Sequence, residues 1–369
     1  MLCYRNWLKT QALSSITQPL SSCVDSNGED YLADQGYEKL GWRHFRRRVQ
    51  FALSRQQKHL KNCIQPTWKR GLWIYKGVPQ IGDALMDLAP RSLLKQQGLR
   101  IDLYTDSHLA MLFNDDPWFE RVHDNPCLIE SQDYDFVIVQ SHKGRSLRHK
   151  SHLLRSLPWL SMHGFYTGPE FHRGKFATRR VMDFLGYKAT ALELAQYQQQ
   201  KLRPLAPHPK EFRNFAKIAF ALGGIDALRT YQNWHALTSE LVQSNVKMEI
   251  TLLGSSNAVQ AAEVFMSEFS GIVNVINQVN KTSLTECREL IHQQDLLIAA
   301  DGGLMHLGAT TQAKLISVFH AGVSPHWRLS GAHLTGALQS NSNAVSTTPT
   351  SAIVQAVIHA LDAESRSSS

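Results

Sequence analysis

Short apolar runs of four or five residues recur along the chain from residue 71 onward, and segments with helical periodicity separate them. Strands that alternate with helices form parallel sheets whose two faces are covered by helices. The pattern therefore predicts an α/β fold. The predicted strands are residues 72–75, 101–104, 136–139, 218–222, 250–253, 272–275, 296–299 and 315–319, and the predicted helices are residues 83–96, 176–185, 230–243, 258–268, 284–292, 302–311 and 352–361.

One segment interrupts this alternation and divides it into two similar halves. Residues 197–213 hold three prolines and little periodicity, which is typical of a linker. We therefore predict α/β domains over residues 71–205 and 206–350, a basic, partly helical extension over 1–70, and a C-terminal helix with a frayed tail over 351–369. Ligands of open α/β sheets bind beyond the carboxyl ends of the strands, so we expect a binding cleft between the two domains.

The composition excludes several classes of protein. No apolar run approaches the ~20 residues of a membrane-spanning helix, and the N-terminal residues lack the apolar core of a secretory signal. The five cysteines form no CxxC pair, which argues against a zinc ribbon or a disulfide framework and favours a reducing cytoplasm. The formal net charge of +8 indicates anionic partners, although no nucleic-acid-binding motif accompanies it.

Much of the positive charge lies in the extension. Residues 1–38 are polar and mixed, with a turn at Asn27-Gly28, and we predict them to be weakly structured. Residues 39–70 carry ten Lys and Arg and no acidic residue, which predicts an amphipathic helix with a cationic face. That helix either packs on the domain with its charges solvated or docks peripherally on an anionic membrane. Its predicted apolar stripe comprises Trp42, Phe45, Val49, Leu53, Leu60 and Ile64.

The strongest local signal for chemistry follows the strand at 296–299. That strand leads into Asp301, then Gly302 and Gly303, and then a helix that includes His306. Glycines and a helix N-terminus together suit a phosphate, and the acid could hold sugar hydroxyls. The simpler interpretation is an ordinary turn between strand and helix, capped by the aspartate.

Three other glycine turns follow predicted strands. None matches GxxxxGK[ST] or GxGxxG, so a P-loop ATPase and a dinucleotide oxidoreductase are poorly supported. The chain also lacks HExxH and GxSxG motifs and any metal-ligand spacing, so we predict neither a metal nor another cofactor. The three turns are Gly82-Asp83, Gly223-Gly224 with Arg229 beyond it, and Gly254-Ser255.

Taken in this order, residues 82–85, 222–234 and 280–309 resemble the ADP-heptose:lipopolysaccharide heptosyltransferases of glycosyltransferase family 9. The resemblance extends over residues 71–362. It implies a GT-B fold, in which two Rossmann-like domains face each other across a cleft. It further implies inverting, metal-independent transfer from a nucleoside diphosphate sugar to a glycolipid or oligosaccharide acceptor.

The resemblance also assigns residues. Asp83 stands at the position of the family's catalytic base, which takes the proton of the acceptor hydroxyl. The donor-binding positions are Gly82, Gly223, Gly224, Arg229, Gly254, Ser255, Lys281, Thr282, Asp301, Gly302, Gly303, Leu304 and His306.

Three alternatives remain open at this stage. The chain could use another nucleotide sugar, could be a nucleotide-sugar epimerase of the same fold, or could be a non-catalytic protein that docks on an anionic membrane or glycolipid. Because Asp83 and Asp301 are both present, the sequence favours an enzyme.

Overall fold

The computed structural model describes residues 2–17, 28–207 and 213–365. Contacts divide the chain into a first unit, Met1–Gln199, and a second unit, Gln200–Ser369. This boundary lies a few residues before the one predicted at 205/206. The segments 1–70 and 351–369, predicted as separate parts of the chain, lie inside these units.

The N-terminal extension is helical, so the prediction of weak structure over residues 1–38 is wrong where the structure describes them. It forms α1 (Leu2–Ser15), α2 (Gly28–Gln35) and α3 (Tyr37–Leu53). Gly41 allows α1 and α3 to pack closely, because a Cβ there would collide with the carbonyl oxygen of Leu8. Asn27 of the predicted turn lies outside the described residues, and Gly28 begins α2.

The predicted helix over 39–70 is wrong in extent and in orientation. The helix α3 ends at Leu53, so Leu60 and Ile64 lie outside it. Its buried face carries Leu40, His44 and Phe51. The predicted apolar stripe lies largely on the opposite, exposed face, where the exposed fractions are 47% for Trp42, 39% for Val49 and 77% for Leu53.

The first unit contains a five-stranded parallel sheet in the order β3-β2-β1-β4-β5. Its central strands read as continuous apolar runs because helices cover both faces. The strands are β1 (Arg70–Tyr75), β2 (Arg100–Thr105), β3 (Val122–His123), β4 (Phe136–Val139) and β5 (Trp159–Ser161), and the helices are α4 (Ile81–Asp87), α5 (Arg91–Gln96), α6 (Ser107–Phe113), α7 (Gly144–Leu153), α8 (Arg173–Leu185) and α9 (Ala191–Tyr197).

The three strands predicted in this half are confirmed, but the single helix predicted over 83–96 is wrong. Pro90 separates α4 from α5, since proline lacks the N–H of a helix interior and clashes with the preceding turn. The sequence prediction also missed β3 and β5, which are only two and three residues long.

The second unit contains a six-stranded parallel sheet in the order β11-β10-β9-β6-β7-β8. The strands are β6 (Ala216–Ala221), β7 (Met248–Leu253), β8 (Asn274–Asn277), β9 (Leu296–Ala300), β10 (Lys314–Phe319) and β11 (Ala337–Gln339), and the helices are α10 (Trp234–Gln243), α11 (Val259–Phe269), α12 (Leu284–His292), α13 (Gly303–Gly308) and α14 (Thr350–Ser365). Together with the first unit, this confirms the predicted α/β fold with two parallel sheets.

Several bounds differ from those predicted for this half. The helix α12 matches its prediction because Ser283 and Glu286 form a capping box at its start. The helix predicted from 230 begins only at Trp234, and the one predicted over 302–311 is shortened to Gly303–Gly308. Among the described residues of the predicted linker, 198–207 form neither helix nor strand. No helix in the described parts of the chain is long and apolar enough to cross a membrane.

Candidate active site

Four adjacent strands of the second unit, β9, β6, β7 and β8, bring almost all the predicted donor-binding residues to one edge of the sheet. They lie on the loops at the carboxyl ends of these strands or in α13, the helix that follows β9. The Asn257 side chain donates a hydrogen bond of 2.7 Å to the Gly224 carbonyl, and the Asn280 N–H donates one of 2.9 Å to the Gly254 carbonyl. These bonds connect the loops after β6, β7 and β8.

The glycines on these loops have a packing role. Gly223 has φ +78°, in the left-handed region, and a Cβ there would lie 2.9 Å from Cβ of Ala258. At Gly254 a Cβ would lie 2.7 Å from the same atom. These glycines therefore let the loops after β6 and β7 approach one another. By contrast, a Cβ at Gly302 would meet only the Ala300 oxygen, at 3.7 Å, so this position has room for a side chain.

Asp301 is the buried acid at the end of β9. Its Oδ2 accepts a 2.7 Å hydrogen bond from Nη2 of Arg229, which also donates to the Asp301 backbone oxygen at 3.1 Å. Nε of Arg328 lies 3.7 Å from the same carboxylate. The other oxygen, Oδ1, is buried without a hydrogen-bond partner among the described residues. The site thus holds a carboxylate with one oxygen paired and one available to a hydroxyl donor.

His306 is buried beside this carboxylate. Its Nε2 lies 3.8 Å from Oδ1 of Asp301, and its Nδ1 lies 2.7 Å from the Gln200 side-chain oxygen. Gln200 in turn donates a 2.6 Å hydrogen bond to the Arg328 carbonyl. These contacts make His306 and Gln200 parts of the packing around Asp301, and sequence reasoning had no local motif from which to find Gln200 or Arg328.

The remaining predicted donor residues occupy the same edge with different surroundings. Lys281 is exposed and its Nζ donates to the Asn277 carbonyl at 2.8 Å. Ser255 is exposed and its hydroxyl hydrogen-bonds the Asn257 side chain at 2.7 Å. Burial raises the pKa of the Cys287 thiol to about 11, although the hydrogen bond with the Thr282 side chain acts to lower that pKa. Gly303 and Leu304 form the first turn of α13.

In the first unit, the predicted base Asp83 lies in the first turn of α4, on the loop that follows β1. Its side chain is 30% exposed, and Oδ2 lies 3.4 Å from Nη1 of Arg173. Gly82 precedes it and is buried in α4. Of the predicted donor residues, Gly82 is therefore the one that belongs to the first unit.

A second acid, Asp87, lies one turn further along α4 and is fully buried. It binds Arg173 through two hydrogen bonds, of 3.2 Å from Nε and 2.6 Å from Nη2. Tyr75 and Gln140 donate to it at 3.1 and 2.6 Å. Burial alone would raise its pKa, but the Arg173 guanidinium and the His163 ring hold the pKa of Asp87 well below its usual value.

Asp87 therefore supplies a permanent negative charge that balances most of the charge of Arg173. Arg173 is left with a longer contact to Asp83, which keeps that carboxylate oriented and partly open to solvent. The sequence prediction missed both Asp87 and Arg173. The spacing of Asp83 and Asp87 by four positions on a short helix was the available signal, because such residues share one face.

Residues 176–354 match the family model of glycosyltransferase family 9 (heptosyltransferase). The chain therefore carries a family 9 glycosyltransferase domain. This confirms the predicted resemblance and identifies the chain as a heptosyltransferase-like glycosyltransferase, which favours the enzyme over a non-catalytic docking protein. In a search of curated proteins, no sequence matched the chain.

Solved structures of this kind share the fold. A family 9 glycosyltransferase from Veillonella parvula matches with a TM-score of 0.60 at 11% identity, over 81% of this chain and 99% of the other. The ADP-heptose lipopolysaccharide heptosyltransferase II of E. coli matches with a TM-score of 0.55 at 14% identity, over 80% of this chain and 99% of the other. The structure of E. coli heptosyltransferase WaaC with ADP matches with a TM-score of 0.60 at 17% identity, over 79% of this chain and 99% of the other. The likeness confirms the GT-B type of fold.

One further match bears on metals. The E. coli glycosyltransferase TibC, described as iron-containing and dodecameric, matches with a TM-score of 0.50 at 9% identity. In this chain, no group of three or more His, Cys, Asp or Glu side chains among the described residues could hold a metal ion.

Proposed function

We propose that the chain transfers a sugar with inversion, and without a metal, from a nucleoside diphosphate donor onto a lipopolysaccharide core or a related glycan. ADP-heptose is the proposed donor, because WaaC structures hold ADP and a fluorinated ADP-heptose. The observation that carries the proposal is the buried Asp301 carboxylate, whose Oδ2 is held by Arg229 and whose Oδ1 has no hydrogen-bond partner among the described residues. A donor hydroxyl can satisfy Oδ1, and the adjacent guanidinium suits a diphosphate.

The proposed mechanism separates activation of the acceptor from stabilisation of the leaving group. Asp83 takes the proton of the acceptor hydroxyl as this oxygen attacks the anomeric carbon. The bond from that carbon to the diphosphate breaks on the opposite face, which inverts the configuration. Arg229 and backbone N–H groups of the glycine loops stabilise the negative charge that develops on the leaving diphosphate, so no metal is needed.

The first experiment compares nucleoside diphosphate sugars, ADP-heptose first, by thermal unfolding. A ligand at 100 times its Kd adds ~2.7 kcal/mol to the unfolding free energy, which gives a clear shift. We expect the Asp83→Asn variant to keep this shift and to lose transfer, while an exposed acid of the same unit, Asp124→Asn, changes neither. Near-normal transfer by Asp83→Asn would remove Asp83 from the mechanism, and no shift with any donor would refute the proposed function.

We also propose that the protein acts in the cytoplasm, peripherally on the inner face of the inner membrane, where such an acceptor is held. Support comes from the exposed face of α3, which presents Trp42, Val49 and Leu53. The basic side chains exposed on the same helix are Lys39, Arg46 and Arg48. Apolar side chains bordered by cations suit an anionic bilayer, and each basic residue near the surface contributes about 1 kcal/mol.

Sedimentation with liposomes tests this docking. Deletion of residues 1–70 is unsuitable, because Leu40 and Phe51 are part of the packing of the first unit. We expect the intact protein to bind anionic but not neutral liposomes at low salt. The variants Arg46→Gln/Arg48→Gln and Leu53→Ser should bind anionic liposomes more weakly. Binding of the intact protein should also weaken as added salt screens the charges. An intact protein that ignores anionic liposomes at low salt contradicts the docking.

A further inference from the structure

Gln200 is the first residue of the second unit, and its side chain reaches the surroundings of Asp301. Its amide forms two hydrogen bonds there. The amide nitrogen donates to the Arg328 carbonyl oxygen at 2.6 Å, and the amide oxygen lies 2.7 Å from Nδ1 of His306. His306 and Arg328 are both buried. One amide therefore connects two buried residues that come from separate segments of the unit.

The two residues that Gln200 connects flank the Asp301 carboxylate. Nε2 of His306 lies 3.8 Å from Oδ1 of Asp301, and Nε of Arg328 lies 3.7 Å from Oδ2. Asp301 is buried, and its Oδ1 has no hydrogen-bond partner among the described residues. Gln200 thus holds one neighbour on each side of this carboxylate.

These contacts fix which nitrogen of the His306 ring carries the proton. A backbone carbonyl oxygen only accepts hydrogen bonds, so the group that Gln200 turns toward Arg328 is its NH2 group. The amide oxygen then faces Nδ1 of His306, and this oxygen also only accepts. In the neutral ring Nδ1 therefore carries the hydrogen, and Nε2, on the side of Asp301, carries none.

This position of the proton keeps Oδ1 of Asp301 open. A proton on Nε2 of His306 would place an N–H group beside Oδ1, and a shift of about 1 Å would close that gap to a hydrogen bond of about 2.9 Å. With the proton on Nδ1, the ring offers Oδ1 no donor. The oxygen therefore remains available to a ligand group that donates, such as a sugar hydroxyl, and not to a phosphate oxygen, which accepts.

The chain that follows Gln200 is also fixed to the second unit. Nη2 of Arg288 donates a hydrogen bond of 2.9 Å to the Arg203 carbonyl, and Nε2 of His292 donates one of 2.9 Å to the Ala206 carbonyl. The position of Gln200 is therefore held by the chain beyond it as well as by its own two hydrogen bonds. Such a side chain is suited to orienting its neighbours.

We infer that Gln200 is a positioning residue of the donor site, which holds His306 with its proton on Nδ1 and so reserves Oδ1 of Asp301 for a hydroxyl group of the donor. The assignment of this hydroxyl to a donor rests on the proposed function, whereas the position of the proton does not. The hydroxyl belongs either to the transferred sugar or to the ribose of the nucleotide, since both offer the same hydrogen-bonding chemistry.

NMR of isotopically labelled histidine nitrogens in the full chain, without ligand, reads the position of the proton directly. At about pH 8, above the ordinary histidine pKa of about 6.5, neutral rings predominate. The signals of His306 are those that disappear in His306→Asn. We expect the proton on Nδ1 in the wild type and a loss of this preference in Gln200→Ala. A proton on Nε2 in the wild type, or an unchanged position in Gln200→Ala, overturns the inference.

His292 is the internal reference for this measurement. Its Nε2 donates to the Ala206 carbonyl, and its Nδ1 accepts from the Gln312 N–H at 3.3 Å. The same reasoning therefore predicts the opposite arrangement there, with the proton on Nε2 in the wild type and in Gln200→Ala.

Calorimetric titration with ADP-heptose and with ADP measures the effect on binding. We expect Gln200→Ala to bind ADP-heptose about tenfold more weakly than the wild type. Weakening confined to ADP-heptose assigns the hydroxyl to the sugar, and equal weakening for ADP assigns it to the ribose. The matched control is Gln199→Ala, which truncates the exposed glutamine one position earlier and should bind like the wild type.

Gln200→Glu separates the hydrogen bonds of Gln200 from its packing, because glutamate has nearly the same shape. Its carboxylate cannot donate to the Arg328 carbonyl, and its charge favours a His306 ring that is protonated on both nitrogens, whose Nε2–H would occupy Oδ1 of Asp301. We therefore expect Gln200→Glu to bind ADP-heptose as weakly as Gln200→Ala. Wild-type affinity in Gln200→Glu would overturn the inference, and this variant decides the matter if Gln200→Ala fails to fold.

The two proposals fail separately. If no nucleoside diphosphate sugar binds while His306 carries its proton on Nδ1, the proposed function is wrong, and the assignment of the hydroxyl to a donor falls with it. If a donor binds and is transferred, we expect Gln200→Ala to raise the KM for the donor about tenfold at an unchanged KM for the acceptor. An unchanged donor KM would overturn the inference while leaving the transferase intact.

Discussion

Mild acid should destabilise the first unit in part through His142, and the substitution His142→Phe should reduce that sensitivity. His142 is 7% exposed and is enclosed by aromatic rings. Phe51 stacks on it at 4.6 Å, and Phe165 and Trp159 lie 4.5 and 5.2 Å away. Neither ring nitrogen has a hydrogen-bond partner among the described residues. A phenyl ring can therefore replace the imidazole without leaving a polar atom unpaired.

The sign follows from which state takes up the proton. Burial lowers the pKa of His142 from 6.5 to about 4. Below pH 6.5 the unfolded chain binds a proton that the folded chain does not, so the stability present above pH 6.5 is lost progressively as the pH falls towards 4. At 1.36 kcal/mol per pKa unit, the loss between pH 7 and pH 5 is about 2 kcal/mol.

Native-state hydrogen exchange of the α3 and β4 amides reads this loss in the first unit alone. Between pH 7 and pH 5, the wild type should lose about 2 kcal/mol more opening free energy than His142→Phe. Replacing the exposed His152 by Gln is the control and should behave like the wild type. An equal loss in the wild type and in His142→Phe would refute the reasoning, because the proton would then have to be taken up elsewhere.

Three other predictions concern the two carboxylate sites. Asp87→Asn should destabilise the first unit by about 3–5 kcal/mol in urea unfolding, because it removes a buried negative charge and leaves the largely buried Arg173 guanidinium with only the longer ion pair to Asp83; a cost below about 1 kcal/mol, the worth of an exposed pair, would contradict a buried one. Asp301→Asn should weaken donor binding about tenfold in calorimetry without unfolding the protein; unchanged affinity would show that Asp301 only packs the loop. Transfer should survive dialysis against EDTA; complete loss that magnesium or manganese restores would contradict the metal-free mechanism.

The sequence alone predicted the parts of the fold that depend on local patterns. The central strands β1, β4, β6 and β9 are apolar runs because helices cover them on both sides. Strands of two or three residues, such as β3 and β11, carry no usable periodicity and pair only because their neighbours are in place. The break at Pro90 was visible in the sequence, but the apolar residues on both sides of it continued the helical pattern.

The residues of the candidate site also divide into those that local motifs predict and those that lie far away in the sequence. Glycine turns and acids at strand ends are local motifs, and they led to Asp83 and Asp301. Their partners are not local, since Arg229 is separated from Asp301 by 72 positions and Arg173, which pairs with Asp83 of α4, lies in α8. One chain without an alignment offers no signal for such pairs, so their discovery required the structure.

The helix α3 explains why a charge run could not be interpreted from its composition. Both of its faces carry aromatic residues, so periodicity alone allows either to be buried. The packing decides, and it places the neighbours Arg46 and Arg47 in different environments, the first exposed and the second half-buried over the loops at the end of the sheet. If the docking proposal holds, Arg46→Gln/Arg48→Gln weakens binding to anionic liposomes, while Arg47→Gln leaves it intact. A single solvated face would instead make all three arginines interchangeable.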